Sequence, residues 1–192
     1  MKTLAILGSP RRNMNTDTLL NKVIEGMKEQ DIEVEKIELA NMHIHSCTAC
    51  GACEKTGFCI IKDDMNNLYK KFDQSDVVIV ASPIYFNSIS SITKIMVDRC
   101  QMFWSSKYIL NEPSINRNKK RRGLFIATGG SVQKEHQFLG ATLVMDLFFK
   151  AINTEYTYNL FAQDTDRLLT KDRPKLLQEA FELGKKLAEI SK

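Results

Sequence analysis

No run of about 18 apolar residues occurs anywhere in the chain, and the opening "MKTLAILGSP" is interrupted too early for a signal peptide. Neither a membrane-spanning helix nor a cleaved leader is expected, so the reading is a soluble, cytoplasmic protein with no membrane partner. No Pro/Gly/Ser-rich linker, internal repeat or low-complexity tract divides the 192 residues, a length that suits one domain spanning 1–192 with a two-sided core. Neither a Gly-Lys-Ser/Thr phosphate loop nor a Gly-x-Gly-x-x-Gly fingerprint is present, which removes the two commonest nucleotide signatures. The basic excess is small, 27 Lys and Arg against 23 Asp and Glu, for a net charge of +4. Much of it lies in "RNKKRR", Arg117 to Arg122, with no aromatic residue interleaved to stack on bases. The run reads as a solvated loop ahead of a strand, and no nucleic-acid partner is expected.

What the chain does have is a regular alternation. Apolar runs rich in β-branched residues at Thr3–Leu7, Glu33–Glu38, Val77–Ala81, Gly123–Ala127 and Glu155–Leu160 predict five strands. Apolar residues at helical spacing predict helices over Thr16–Glu29, Asn66–Phe72, Ser91–Phe103, Val132–Ala151 and Lys171–Ile190. The fold class is therefore α/β, a doubly wound five-stranded parallel sheet with helices on both faces. Such sheets bind ligands beyond the carboxyl ends of their strands, where three segments are unlike ordinary connectors. "GSPRRNMNTDT" (8–18) offers hydroxyls, guanidinium groups and the free N–H groups of a starting helix, a chemistry suited to phosphate. "SPIYFNS" (82–88) sets a proline and two aromatics at a turn, and "TGGS" (128–131) allows close approach to backbone. A phosphate site, a flat surface and exposed N–H groups at one sheet edge suit FMN.

With "GSPRRNMNT", "ASPIYFNSISSITKIMVDR" and "TGGS" in this order and spacing, the chain resembles the NADPH-dependent FMN reductase superfamily, whose fold is flavodoxin-like. The resemblance implies that Ser9, Arg11, Asn15, Thr16 and Thr18 hold the FMN phosphate. It implies that Pro83, Ile84, Tyr85, Phe86 and Asn87, with Thr128, Gly129 and Gly130, frame the flavin ring. Lys94, Asp98 and Arg99 match the "K…DR" portion that follows and read as helix-start supports or interface residues; no catalytic residue is assigned.

Four of the five cysteines fall within thirteen residues, "CTACGACEKTGFC", as C-x2-C-x2-C-x5-C inserted at 47–59 between the second strand and second helix, with Asp63 or Asp64 as that helix's cap. Steps of three let a tightly turned backbone bring thiols together. Structural zinc usually takes two pairs separated by roughly 12 to 20 residues, whereas a compact triplet is the ferredoxin pattern. The fourth cysteine departs from that pattern, following after five residues and preceding Ile60. On an FMN domain the segment resembles the iron–sulfur flavoproteins of anaerobic microbes, which implies that Cys47, Cys50, Cys53 and Cys59 ligate a [4Fe-4S] cluster beside FMN. Zinc, or reduced or oxidised thiols without metal, stay open as readings of the spacing. Cys100 reads as a buried core residue, His43 and His45 as ordinary loop residues, and His136 as a surface residue relevant to flavin only if the fold brings it near "TGGS".

The function expected is electron transfer between a cluster fed by a ferredoxin-type donor and FMN, reducing oxygen, peroxide or quinones, in a homodimer or homotetramer. The alternative is a cluster-free NAD(P)H-dependent FMN or quinone reductase. A third, a zinc-holding regulatory protein, would bind no flavin.

Overall fold

The computed structural model describes residues 1–132 and 135–191. Its centre is a parallel sheet in the order β2-β1-β3-β5-β6: β1 Thr3–Leu7, β2 Val34–Glu38, β3 Val77–Tyr85, β5 Arg122–Thr128 and β6 Glu155–Ala162. A two-residue strand, β4 Ser88–Ile89, pairs antiparallel with the end of β3, so six strands replace the five expected. β1 is buried at every position and β3 through its first six, which is why both read as continuous apolar runs rather than alternating ones. Strand order reverses between β1 and β3, and the crevice beyond their carboxyl ends is where a ligand belongs in this topology. No helix among the described residues is long and apolar enough to cross a membrane.

Helices α1 Asn15–Lys28 and α7 Pro174–Glu189 cover one face, burying Leu19, Leu20, Val23, Met27, Ala180 and Leu187 against it. The other face is covered by α3 Met65–Gln74, α4 Ser91–Arg99, α5 Gln101–Tyr108 and α6 Leu139–Ala151, through Phe72, Met96, Phe103, Met145 and Phe149. The α1–α7 crossing is backbone against backbone: a Cβ added at Gly184 would lie 2.1 Å from the Val23 carbonyl oxygen, and one at Gly26 2.0 Å from that of Phe181. Gly184→Ala should therefore force the helices apart and lower unfolding free energy by about 1–3 kcal/mol, the usual cost of overpacking. Urea denaturation tests this, and an unchanged midpoint would count against the tight crossing.

Several boundaries differ from the sequence reading. "SPIYFNS" is not a loop after β3; most of it is β3 continued into a hairpin with β4. The helix expected over Ser91–Phe103 breaks at Cys100, whose ψ of 1° ends α4 before α5 begins. The helix expected from Val132 starts only at Leu139; residues 133 and 134 lie outside the described residues, and His136 at φ 66° sits in a turn. The last helix begins at Pro174, after a 3-10 turn over Thr170–Asp172. "RNKKRR" is not simply solvated. Arg121 is buried and donates to the carbonyls of Phe72, Asp73 and Asn116, Lys119 pairs with Asp76, and Arg122 pairs with Glu155 across the start of β5. A guanidinium has five donors, enough to satisfy carbonyls left open at the end of α3.

Candidate functional site

β1 is followed by Gly8, whose N–H donates to the Ala81 carbonyl at 2.7 Å and whose carbonyl accepts from the Ser90 hydroxyl at 2.6 Å. Ser90 also caps α4, accepting from the Thr93 N–H. The chain then turns into α1 under the control of buried Asp17, which accepts from the Asn13 N–H at 2.8 Å and pairs with Lys36 at 2.5 Å. Met14 at the N-cap provides no side-chain acceptor, so the first N–H groups of α1 stay available beside Ser9 and Arg11.

A cavity of about 350 Å³ opens over this turn. Of the thirteen residues expected at a flavin, Ser9, Arg11, Asn15, Thr16, Pro83, Ile84, Tyr85, Phe86, Asn87, Thr128 and Gly130 line it, and Thr18 and Gly129 do not. Thr18 lies within α1, and Gly129 packs on Gln137, with its N–H bound to the Ala162 carbonyl. Asn15 does less than its place implies, because its amide already donates to the Thr165 carbonyl and accepts from the Thr170 N–H. Thr16 and Thr128 share a buried 2.6 Å hydrogen bond that ties α1 to the end of β5. Arg12 turns away to Glu38.

The hairpin forms the opposite wall. Phe86 and Asn87 both have positive φ, 51° and 60°, between the paired Tyr85 and Ser88. This is a type I′ turn, for which Asn is suited and Phe is not; the left-handed conformation costs a bulky residue about 1–2 kcal/mol. Phe86 is fully exposed at the apex, so no packing within the chain offsets that cost.

Sequence reasoning missed Ser131, Gln137, Thr165 and Asp166 in the wall. The loop after β6, "QDTDR", was open to discovery by the same strand-end rule; Gln137 carried no signal. Gln137 is buried, and its Oε1 has no hydrogen-bond partner among the described residues. An unpaired acceptor in a cavity wall calls for a ligand donor, and with an uncapped helix start opposite a flat hairpin the residues fit FMN.

The four clustered cysteines line a second cavity of about 690 Å³, together with residues of α4, α5 and α6. Turns at Ala49 (φ 53°) and Gly51 (φ 71°) let the chain fold back between thiols, and α2 Ala52–Thr56 ends at Gly57 (φ 75°). Cys47 and Cys50 are exposed, Cys53 and Cys59 half-buried, and all four are free thiols. Among the described residues no three Cys, His, Asp or Glu groups converge to hold a metal ion, so the thiols border a shared space rather than one point. His43 and His45 are exposed; their backbone N–H groups donate to Asp64 and Asp63, and their carbonyls accept from the Asp64 N–H and the Arg99 guanidinium. Four soft donors around one space with apolar walls fit a sulfur-ligated iron cluster.

The loop's stems are clamped by Arg99. It is the last residue of α4 rather than a helix-start support, and it is buried. Its guanidinium donates to the His45 carbonyl at 2.8 Å, to the Ile61 carbonyl at 3.4 Å, and to both oxygens of Asp63 at 2.5 and 3.2 Å. Asp63 also accepts from the N–H of Met65, starting α3, whereas Asp64 makes no cap. Burial pushes the Asp63 carboxyl up, but Arg99 and the N–H groups of His45 and Met65 outweigh it and hold it below the usual range. Cys100 is buried, which pushes its thiol up and keeps it inert. Lys94 and Asp98 form an exposed pair one turn apart. His136 is exposed beside Glu135 and outside the flavin-type cavity.

The comparisons with known proteins agree with this geometry. An iron–sulfur flavoprotein of Methanosarcina thermophila is 32% identical over 131 residues, covering 68% of this chain and 64% of the relative. An FMN-dependent NADPH-azoreductase of Staphylococcus aureus is 32% identical over 102 residues, 53% of each chain. The chain thus spans about half to two-thirds of the length of these curated relatives. The solved structure of an FMN-dependent NADH-azoreductase from Bacillus anthracis in complex with FMN superposes with a TM-score of 0.66 at 16% identity, over 100% of both chains, a likeness of fold. The family description "NADPH-dependent FMN reductase" matches residues 1–151. The chain belongs to the NADPH-dependent FMN reductase family.

Proposed function

We propose that the protein is an FMN-dependent oxidoreductase in which Cys47, Cys50, Cys53 and Cys59 hold a [4Fe-4S] cluster that exchanges electrons with FMN. One observation carries the reading: α6 runs from the hairpin that walls the first cavity to the thiol cavity. Gly140 abuts the Asn87 carbonyl of the hairpin, and Val144, one turn later, lines the thiol cavity, about 6 Å along the helix axis at 1.5 Å per residue. When bound, the cluster would supply electrons singly and the flavin would take one or two.

The chain's own residues bind and orient. Ser9, Arg11 and the first turn of α1 neutralise and hydrogen-bond a phosphate. Tyr85 and Phe86 present flat surface, and Gln137 offers its unpaired acceptor. Arg99 and Asp63 keep the cysteine stems together. A ferredoxin-type donor would approach at the exposed thiols Cys47 and Cys50, with oxygen, peroxide or a quinone as acceptor. The proposed homodimer or homotetramer is supported by Leu139, Leu143 and Leu147, an exposed apolar stripe on α6, with Phe86 near its start.

The second reading, a cluster-free NAD(P)H-dependent reductase of FMN, quinones or azo compounds, is favoured by the similarity to the Staphylococcus aureus azoreductase. Anaerobic purification separates the two. The first reading expects stoichiometric FMN with about four irons and four sulfides per chain and broad absorption near about 400 nm. A yellow, iron-free protein that still oxidises NADPH would overturn it in favour of the second.

A further inference from the structure

The four cysteines do not have equal surroundings, and one of them faces a hydroxyl whose proton has no other acceptor among the described residues. Ser105, on α5, is fully buried, and its Oγ lies 3.6 Å from the Cys53 sulfur. The Gln101 side chain, one turn earlier, donates its amide N–H to the same Oγ at 3.5 Å. Serines inside helices ordinarily return their proton to a backbone carbonyl of the preceding turn. Neighbouring Ser106 does so, donating to the Phe103 carbonyl at 3.0 Å. The Ser105 hydroxyl has no such bond among the described residues. It accepts from Gln101, a thiolate has no proton to give, and its own proton is left for the sulfur.

Among the described residues, no side-chain donor is bonded to the other three clustered thiols. Cys47 and Cys50 are exposed to water. The Tyr69 hydroxyl near Cys59 donates instead to the Arg99 carbonyl at 2.9 Å. A hydrogen bond to a ligating thiolate draws electron density from the sulfur and favours the more negative, reduced state of the iron centre. We propose that Ser105, oriented by Gln101, is a positioning residue that donates a hydrogen bond to the Cys53 thiolate and raises the reduction potential of the iron–sulfur centre. This rests on the proposed cluster.

The test is an EPR-monitored redox titration of the full chain, reconstituted anaerobically with iron and sulfide, as wild type, Ser105→Ala and Ser106→Ala. The expected result is wild-type iron and sulfide content in all three, with the midpoint shifted to a more negative value in Ser105→Ala alone. An unchanged midpoint in Ser105→Ala, or equal shifts in both variants, overturns the proposal and leaves the cluster reading standing. Iron loss in Ser105→Ala also overturns it, because the hydroxyl would then be a structural support of the loop. Wild-type protein that takes up no iron overturns the cluster reading and the proposal with it.

Discussion

Asp63→Ala is expected to lower the unfolding free energy by about 3–5 kcal/mol, the cost of leaving one partner of a buried ion pair without the other. Arg99 would keep its charge in a fully covered position with only the carbonyls of His45 and Ile61 to solvate it. The same substitution removes the acceptor for the His45 and Met65 N–H groups, so both stems of the cysteine segment and the start of α3 loosen together. Urea unfolding gives the magnitude, and limited proteolysis locates it, with new cleavage expected within residues 45–61. A loss below about 1 kcal/mol would place the pair among ordinary surface bridges and sink the idea of a clamp.

The pair also predicts a pH dependence. In the fold, against the upward push of burial, Arg99 and the N–H groups of His45 and Met65 hold the Asp63 carboxyl below its ordinary value. Its stabilisation is therefore fully present above the unfolded value, about 3.9, and is lost as pH falls through the lower folded value. The stability gap between wild type and Asp63→Ala should be constant near neutrality and narrow below about pH 4. A gap that stays constant down to acid unfolding would contradict the assignment.

Gly8→Ala is expected to weaken FMN binding at least about tenfold, equivalent to about 1.4 kcal/mol of lost positioning. A Cβ at this position would lie 1.8 Å from the Thr93 Oγ1 and 3.1 Å from the Ala81 carbonyl. Thr93 is fully buried and hydrogen-bonded to Ser90, so it has little room to rotate away. The strain must push the start of the phosphate turn off the N-cap of α4, breaking the bond from Ser90 to the Gly8 carbonyl. Quenching of FMN fluorescence measures the affinity, and a change under about twofold, well within 1 kcal/mol, would mean that the turn is not held from beneath by α4.

Much of this arrangement could be read before any coordinates. The central strands declared themselves because burial on both faces requires continuous β-branched and aliphatic runs, and Val77 to Ala81 is such a run. The rule that ligands sit beyond strand ends picked out segments 8–18, 82–88 and 128–131, and the family resemblance named the residues within them, eleven of which line the cavity. The failures share a cause, which is that tertiary contacts override local signals. Arg99 and Arg121 are residue types that belong at the surface, and their burial depends on carbonyls and carboxylates supplied by distant segments. The hairpin was hidden because Phe-Asn is a poor type I′ pair by composition. Gln137 falls in the helix read from Val132, and its residue type belongs at the surface, so nothing marked it as buried. For the cysteines, spacing identified the group, while the difference between Cys53 and its neighbours arose from α5, more than forty residues away.

The cysteine segment occupies the crossover from β2 to α3, residues 39–64, 26 in all. Relative to a connector of ordinary length, about six residues, the closure entropy of so long a segment adds only about 1.3 kcal/mol, because the cost grows with the logarithm of length. Arg99 and Asp63 join its stems at the base, and between them the segment packs on α5 and the apolar core through Cys53 and Cys59. A segment fastened at its base can therefore change length between its stems at small entropic cost, while Cys53 and Cys59 hold its middle against the same core that supports α4 and α5.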